Sequence, residues 1–487
     1  MTTSVLIIGA VILLLCVTSS KALYRFGVPT LLIFLGLGMV FGSDGLVGIY
    51  FDNYQLAGDI CSIGLIFIMF FGGFGTSWKT ARPVAVPAAL LSTLGVVITA
   101  LLTGMFCYWV LGFSLLEGFL VGSVIASTDA ASVFSILRSR KLDLKNNLAP
   151  MLEIESGSND PFAYMLTMIL LTLFSGEGSI SSILTMLAGQ IFVALAIGFA
   201  VSFATAWILR HIELEIEGLY PIFVTAVVVL SYSVSEMLGG NGYLCVYIIG
   251  IVLGNSRILH KRSLVHFFDG ISWLMQILLF FTLGLLSFPS QLPQAILPGI
   301  SVALFLLLIA RPAAVFSILS WFKVPVKQQF FVSWVGLRGA ASIVFAIFAV
   351  VNPDVTMKND LFHIVFCVAI LSVAVQGTLI PPLAKRLDLV EEDSPVLKTF
   401  TDYQEQSGAT LLEFTIQDGH PWAGKTVMDA EIPEEILIVL LTRGSQTVLP
   451  KGSTVIKPGD VLLLSSSRPE HLERLSVQME TSRKQKV

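Results

Sequence analysis

Apolar runs long enough to cross a lipid bilayer recur from the N-terminus to about residue 387; a spanning helix needs about 20 mainly apolar residues. This feature sets the fold class. In hydrocarbon each backbone N–H and C=O needs a partner within the protein, and helices supply one internally. Thirteen runs are read, at residues 3–20, 28–42, 56–75, 83–109, 114–137, 149–174, 181–209, 219–238, 242–257, 265–288, 293–322, 328–351 and 361–384. The 487-residue chain is 55% hydrophobic and 13% charged, with mean hydropathy +0.84. Soluble domains carry about 25% charged residues. The expected architecture is an all-α polytopic membrane protein.

Charge then orients the chain. The formal net charge is −4 and no basic run points to nucleic acid. The first charge, Lys21, follows the first apolar run, so that run reads as a retained helix rather than a leader. Loops after odd-numbered runs carry Lys and Arg, from Lys21 and Arg25 to Lys385 and Arg386. Loops after even-numbered runs carry Lys358 alone. By the positive-inside rule the N-terminus lies outside and the C-terminus in the cytoplasm. Cys16, Cys61, Cys107, Cys245 and Cys367 lie in apolar segments without metal-ligand spacing and read as core residues.

The membrane domain is read as residues 1–387, followed by a polar linker at 388–406. Residues 407–487 read as a small α+β cytoplasmic domain, from the runs "ATLLEFTI", "EILIVLLTR", "QTVLP" and "DVLLLSSS" and a short helix near 470–479. This tail has no GxGxxG and no room for a dinucleotide-binding unit, so no cofactor is expected; an unidentified regulatory small ligand is. The ending "SRKQKV" has no closing element and leaves room for further chain.

Ionisable residues inside the runs carry the functional signal, since an Asp at a helix centre costs roughly 2.5–3.5 kcal/mol to insert. Counted from the cytoplasmic end of its own run, Asp129 is about 9 residues in, and Asp160, Arg311 and Arg338 about 11. At 1.5 Å per residue these lie roughly 14–17 Å deep, near the midplane of a ~30 Å core. Glu155 is about one turn shallower. Two runs are interrupted, by "ASTDAASVF" around Asp129 and "GLRGAASIVF" around Arg338. Seven runs separate them, so they have opposite topology. Matched interruptions of this kind point to a midplane site between inverted repeats.

The stretch "ESGSNDPF" completes the site. Ser156 and Asp160 share one helix face and Glu155 and Asn159 the next. Pro161 has no N–H to offer the carbonyl of Gly157. A carboxylate, a hydroxyl and a loose carbonyl form a hard-oxygen site for an alkali cation. A carboxylate out of water is costly while bare, so one Asp can hold either a proton or a cation.

"STDAAS", "ESGSND" and "GLRGAAS", in that order, resemble the cation/proton antiporters of the NhaP/NHE type. The tail "GKTVMDAEIPEEILIVLLTRGSQTVLPKGSTVIKPGDVLLL" resembles a TrkA-C (RCK C-terminal) domain, a pairing similar to bacterial K⁺/H⁺ antiporters of the NhaP-like or cell-volume-regulation type. The resemblance implies an NhaA-like fold of about thirteen spans with two broken helices. It implies electroneutral exchange of K⁺, and also Na⁺, for H⁺ by alternating access, serving cytoplasmic K⁺, pH and volume homeostasis. A Na⁺(Li⁺)/H⁺ antiporter is the alternative. By the same resemblance Asp160 carries the ion and the proton, and Asp129, Ser156 and Thr128 complete the K⁺ or Na⁺ site. Asn159 marks the electroneutral branch. Glu155 pairs with an arginine, Arg338 first and Arg311 second. The protein is expected as a homodimer in the bacterial inner membrane.

Plainer roles compete. Asp129 can serve as a cap at the helix break, Ser156 and Thr128 can satisfy backbone groups, and Asn159 can hold helix packing. The context "STDAA" and "SNDPF" does not fit an intramembrane aspartyl protease, and the chain is not read as an enzyme. A passive channel would need no proton carrier.

Overall fold

The computed structural model describes residues 2–24, 30–140, 142–176, 178–212, 214–258, 260–391, 410–416, 420–433, 436–444 and 446–466. Most of the segment read as a linker, and the helix expected near 470–479, lie outside them. The chain divides into two compact units, Met1–Lys398 and Thr399–Val487.

The first unit is helical. Its helices are α1 (Thr2–Tyr24), α2 (Thr30–Phe41), α3 (Tyr54–Gly75), α4 (Trp78–Val110), α5 (Leu115–Val124), α6 (Ala130–Ser139), α7 (Leu148–Phe174) and α8 (Ile180–His211). They continue with α9 (Leu219–Met237), α10 (Gly242–Asn255), α11 (Lys261–Leu286), α12 (Leu292–Phe322), α13 (Val326–Trp334), α14 (Ala340–Val351) and α15 (Asp360–Arg386). Each apolar run lies on one helix or on one of the pairs α5/α6 and α13/α14. Among the described residues, seven helices are long and apolar enough to cross a membrane: α3, α4, α8, α9, α11, α12 and α15.

The pairs α5/α6 and α13/α14 are the two interrupted runs, opened by non-helical backbone at 126–129 and 336–339. Three further helices contain a widened, π-helical turn: Leu91–Gly95 in α4, Leu306–Ala310 in α12 and Ser372–Gln376 in α15. Such turns leave backbone groups imperfectly paired and cluster at functional sites. Those in α4 and α12 are again seven runs apart. By contrast α7 stays helical through Pro161.

Buried apolar side chains hold these elements together. One cluster joins Val133 and Ile136 of α6, Leu152 and Ile154 of α7, Val315 of α12, and Phe331 and Leu337 beside the second break. Small residues allow closer contact elsewhere. A Cβ on Gly38 of α2 would meet the Phe281 carbonyl oxygen of α11 at 2.2 Å.

The second unit contains a four-stranded antiparallel sheet of β1 (Thr410–Thr415), β2 (Ile436–Arg443), β3 (Gln446–Val448) and β4 (Val461–Ser466), in the order β1-β4-β2-β3. These strands coincide with the four β-like runs of the sequence. Ile438, Leu441, Leu462 and Leu464 bury one face against Trp422 and Ile456. Asp460 is fully buried beneath it and takes two hydrogen bonds from Arg443, each 2.7 Å, and one from the Lys457 N–H at 2.8 Å.

Arg443 holds the Asp460 carboxyl below its usual range, which lies near 3.9. A lowered carboxylate contributes stability above its unfolded value and loses it as pH falls through the folded one. Asp460→Asn should destabilise this unit by about 2 kcal/mol at about pH 7, less than for a fully buried pair because Arg443 is 38% exposed. Thermal unfolding should show the difference shrinking as pH falls below the ordinary carboxylate value of about 3.9.

Candidate functional site

The two helix breaks cross and satisfy each other. At the first, the Asp129 N–H donates to the Leu337 carbonyl of the second at 2.8 Å. At the second, Nη1 of Arg338 donates to the carbonyls of Ala126 and Ser127, both at 2.6 Å. Ser127 and Ser342 hydroxyls meet at 3.3 Å. Arg338 is fully buried, and its own N–H donates to Ser372 Oγ at the widened turn of α15. Ser372 in turn donates to Gln376, whose side chain reaches the Trp334 carbonyl.

The motif residues have separable tasks. Asp129 caps α6, accepting from Ser132 N–H at 3.2 Å and Ser132 Oγ at 2.6 Å. Gly339 makes room for it, since a Cβ there would stand 2.4 Å from Asp129 Oδ2. Gly336 makes room for Arg311 in the same way, at 2.7 Å from Nε.

Helix α7 crosses behind the first break. Ser156 Oγ donates to the Thr128 carbonyl and accepts from the Ala130 N–H, both at 2.8 Å. Asn159 Nδ2 donates to Thr128 Oγ1. The Asp160 carboxyl lies beside the Ser127 hydroxyl and within electrostatic range of Asp129. Asp160 is 7% exposed, and its buried Oδ1 has no hydrogen-bond partner among the described residues; neither has Oδ1 of Asn159. The structure thus brings Asp160, Asp129, Ser156, Thr128 and Asn159 to one place. The Asn241 side chain of α10 donates to the Pro161 carbonyl at 2.9 Å and ties the same turn to another helix.

Glu155 departs from the expected order of partners. Its carboxylate pairs with Arg311, Nη2 to Oε1 at 2.5 Å, and both side chains are buried. Arg338, the first choice from sequence, is turned toward the broken helix instead, where the freed carbonyls of Ala126 and Ser127 have no helical partner. The widened turn that ends at Ala310 delivers Arg311 to α7. Sequence reasoning also passed over Ser127, Ser132, Ser372 and Gln376. The last two are a polar pair four residues apart within an apolar run, at the depth of the charged residues. Counting neutral polar residues by depth finds them.

Chemically, the open atoms of the α7 motif are the Asp160 and Asn159 oxygens, while Nε of Arg311 and Nε and Nη2 of Arg338 are buried without an acceptor among the described residues. Among the described residues no group of three His, Cys, Asp or Glu side chains gathers to hold a metal. One free carboxylate oxygen beside amide and hydroxyl oxygens suits a hard cation of low charge.

A family model described as "Sodium/hydrogen exchanger, transmembrane" matches residues 10–386. The chain belongs to the sodium/hydrogen exchanger family. A TrkA-C domain model matches residues 411–475 of this exchanger. The K(+)/H(+) antiporter NhaP of Alkalimonas amylolytica is 36% identical over 467 residues, covering 95% of the exchanger and 80% of the relative. The K(+)/H(+) antiporter NhaP2 of Shewanella sp. (strain ANA-3) is 34% identical over 479 residues, covering 97% and 83%. The fold matches the sodium proton antiporter MjNhaP1 from Methanocaldococcus jannaschii at pH 8. The TM-score is 0.69 at 25% identity, over 78% of the exchanger and 97% of that chain. The exchanger is therefore a multi-pass membrane protein with a C-terminal TrkA-C domain.

Removing one member of the buried Glu155–Arg311 pair strands the other charge. Arg311→Ala should destabilise the exchanger by about 3–5 kcal/mol, and Glu155→Gln combined with Arg311→Met should recover most of the loss in detergent thermal unfolding. Gly339→Ala should leave the fold intact by size-exclusion chromatography. It should lower transport by roughly tenfold or more by displacing the Asp129 carboxylate.

Proposed function

We propose that this chain is a secondary antiporter exchanging K⁺ for H⁺ electroneutrally by alternating access, with Na⁺ as a further substrate. The carrying observation is the Asp160 carboxylate, buried beside the Ser127 hydroxyl with one oxygen unpartnered, next in sequence to Asn159, whose amide oxygen is also unpartnered. In this reading a cation or a proton occupies that oxygen, and never both. Asp129, Ser156, Thr128 and Asn159 complete the cation site, with Asp129 also holding the helix break. The Glu155–Arg311 pair and Arg338 are struts: their charges are already met by each other or by backbone carbonyls. Asn159 cannot titrate, so one carboxylate trades one proton for one cation.

The reading extends to the setting. The chain crosses a bacterial inner membrane thirteen times, with its N-terminus outside and the TrkA-C domain cytoplasmic, and works as a homodimer. Residues 1–387 transport, 388–406 link, and 407–487 regulate in response to a small ligand. The role is cytoplasmic K⁺, pH and volume homeostasis, and the chain is a transporter rather than an enzyme. Two relatives bearing the name K(+)/H(+) antiporter along almost the whole chain support K⁺ as the substrate. Exchange of Na⁺ or Li⁺ for H⁺ is the second reading, favoured by the likeness to MjNhaP1.

Dissipation of a pH gradient in vesicles on adding K⁺, Na⁺ or Li⁺ decides between them. Wild type should respond to K⁺, and Asp160→Asn should respond to none of the three. A response confined to Na⁺ and Li⁺ would overturn the K⁺ assignment, and flux through Asp160→Asn would overturn the carrier.

A further inference from the structure

Helix α15 ends at Arg386, and its end is already closed by bonds back into the helix. The Leu387 N–H donates to Leu383 and the Leu389 N–H to Ala384, each at 3.0 Å. The chain nevertheless makes a second attachment before it leaves the first unit. Leu144, in the loop between α6 and α7, and Val390 form an antiparallel bridge. The Lys145 N–H donates to the Leu389 carbonyl at 2.9 Å and the Glu391 N–H to the Asp143 carbonyl at 3.1 Å. Lys145 Nζ lies 3.0 Å from Asp388 Oδ1, and Lys327, in the first turn of α13, adds its field at the same carboxylate.

This attachment is also apolar. Leu142, Leu144 and Leu389 are buried in the cluster that contains Ile154 of α7 and Leu337 of the second break, and Val390 packs against it. The loop it grips is short and joins the two elements that carry the site acids. Asp129 immediately precedes α6, a helix of ten residues, and Asp160 lies about three turns into α7. The first residues beyond α15, on the way to the C-terminal unit, are therefore fastened to the lever between the two aspartates.

We infer that the bridge between residues 143–145 and 389–391 is the coupling through which the C-terminal unit sets exchange at Asp160. The inference rests on the exchange reading above and adds the route of its regulation. Force or slack arriving at Glu391 moves the α6–α7 loop, and with it the relative positions of Asp129 and Asp160. No contact between the two units is required.

The test uses the full chain in vesicles and the initial proton flux driven by whichever cation the wild type transports. Glu391→Pro removes one bridge donor. A roughly six-residue Gly-Ser insertion between residues 398 and 399 supplies slack. Each should change the rate by about fivefold in the same direction, and the two together by no more than either alone. A wild-type rate in Glu391→Pro, or effects that multiply, would overturn the inference. Leu144→Cys with Val390→Cys guards against misfolding: once cross-linked, this chain should ignore Glu391→Pro, because the disulfide replaces the lost bond, and should still respond to the insertion, whose slack enters beyond the bridge; continued sensitivity to Glu391→Pro would overturn the inference. If no cation drives proton flux in wild type, the exchange reading fails instead. Amide hydrogen exchange then reads the coupling: the insertion should speed exchange at residues 142–148, and unchanged exchange would contradict it.

Discussion

Two helices interrupted inside an apolar unit leave backbone groups without partners, and the remaining structure depends on how that debt is met. Each break supplies the other. Arg338 donates to the carbonyls of Ala126 and Ser127, and the Asp129 N–H donates to the carbonyl of Leu337. In hydrocarbon neither interruption could stand alone, because an unpaired backbone group costs several kcal/mol. The mutual arrangement fixes where α6 and α14 begin, and so where Asp129 stands. It also explains the small residues: Gly336 and Gly339 sit where a Cβ would strike Arg311 or Asp129.

That arrangement separates charges that hold the fold from charges left over for exchange. Glu155 and Arg311 neutralise each other, and Arg338 is absorbed by carbonyl dipoles. Asp129 is engaged as a cap. Asp160 is the acid in this layer with a buried oxygen unclaimed among the described residues. The proposed exchange needs little more than this asymmetry, since the neighbouring charges are paired or bonded to backbone and one carboxylate is left to choose between proton and cation.

Much of this was legible in the sequence, for identifiable reasons. Apolar length marks the helices, and the polar runs around Asp129 and Arg338 mark the breaks. The depth count drew Asp129, Asp160, Arg311 and Arg338 into one layer. Depth could not rank Arg311 against Arg338 as the partner of Glu155, because both lie at the same level. Their difference comes from the widened turn before Arg311, which ordinary apolar residues form without a sequence mark. The acceptors of Arg338 are backbone carbonyls, which carry no residue identity. The bridge between Leu144 and Val390 joins two loop segments more than 240 residues apart, and no local pattern announces it.

The central claim is competition between proton and cation for one carboxylate. It is tested most directly by initial exchange rates over a grid of pH and cation concentration on the same membrane face. The account predicts that lowering pH raises the apparent KM for the cation in proportion to proton concentration, with the maximal rate at saturating cation unchanged. A maximal rate that falls with pH while KM stays fixed would place proton and cation on separate groups and contradict it.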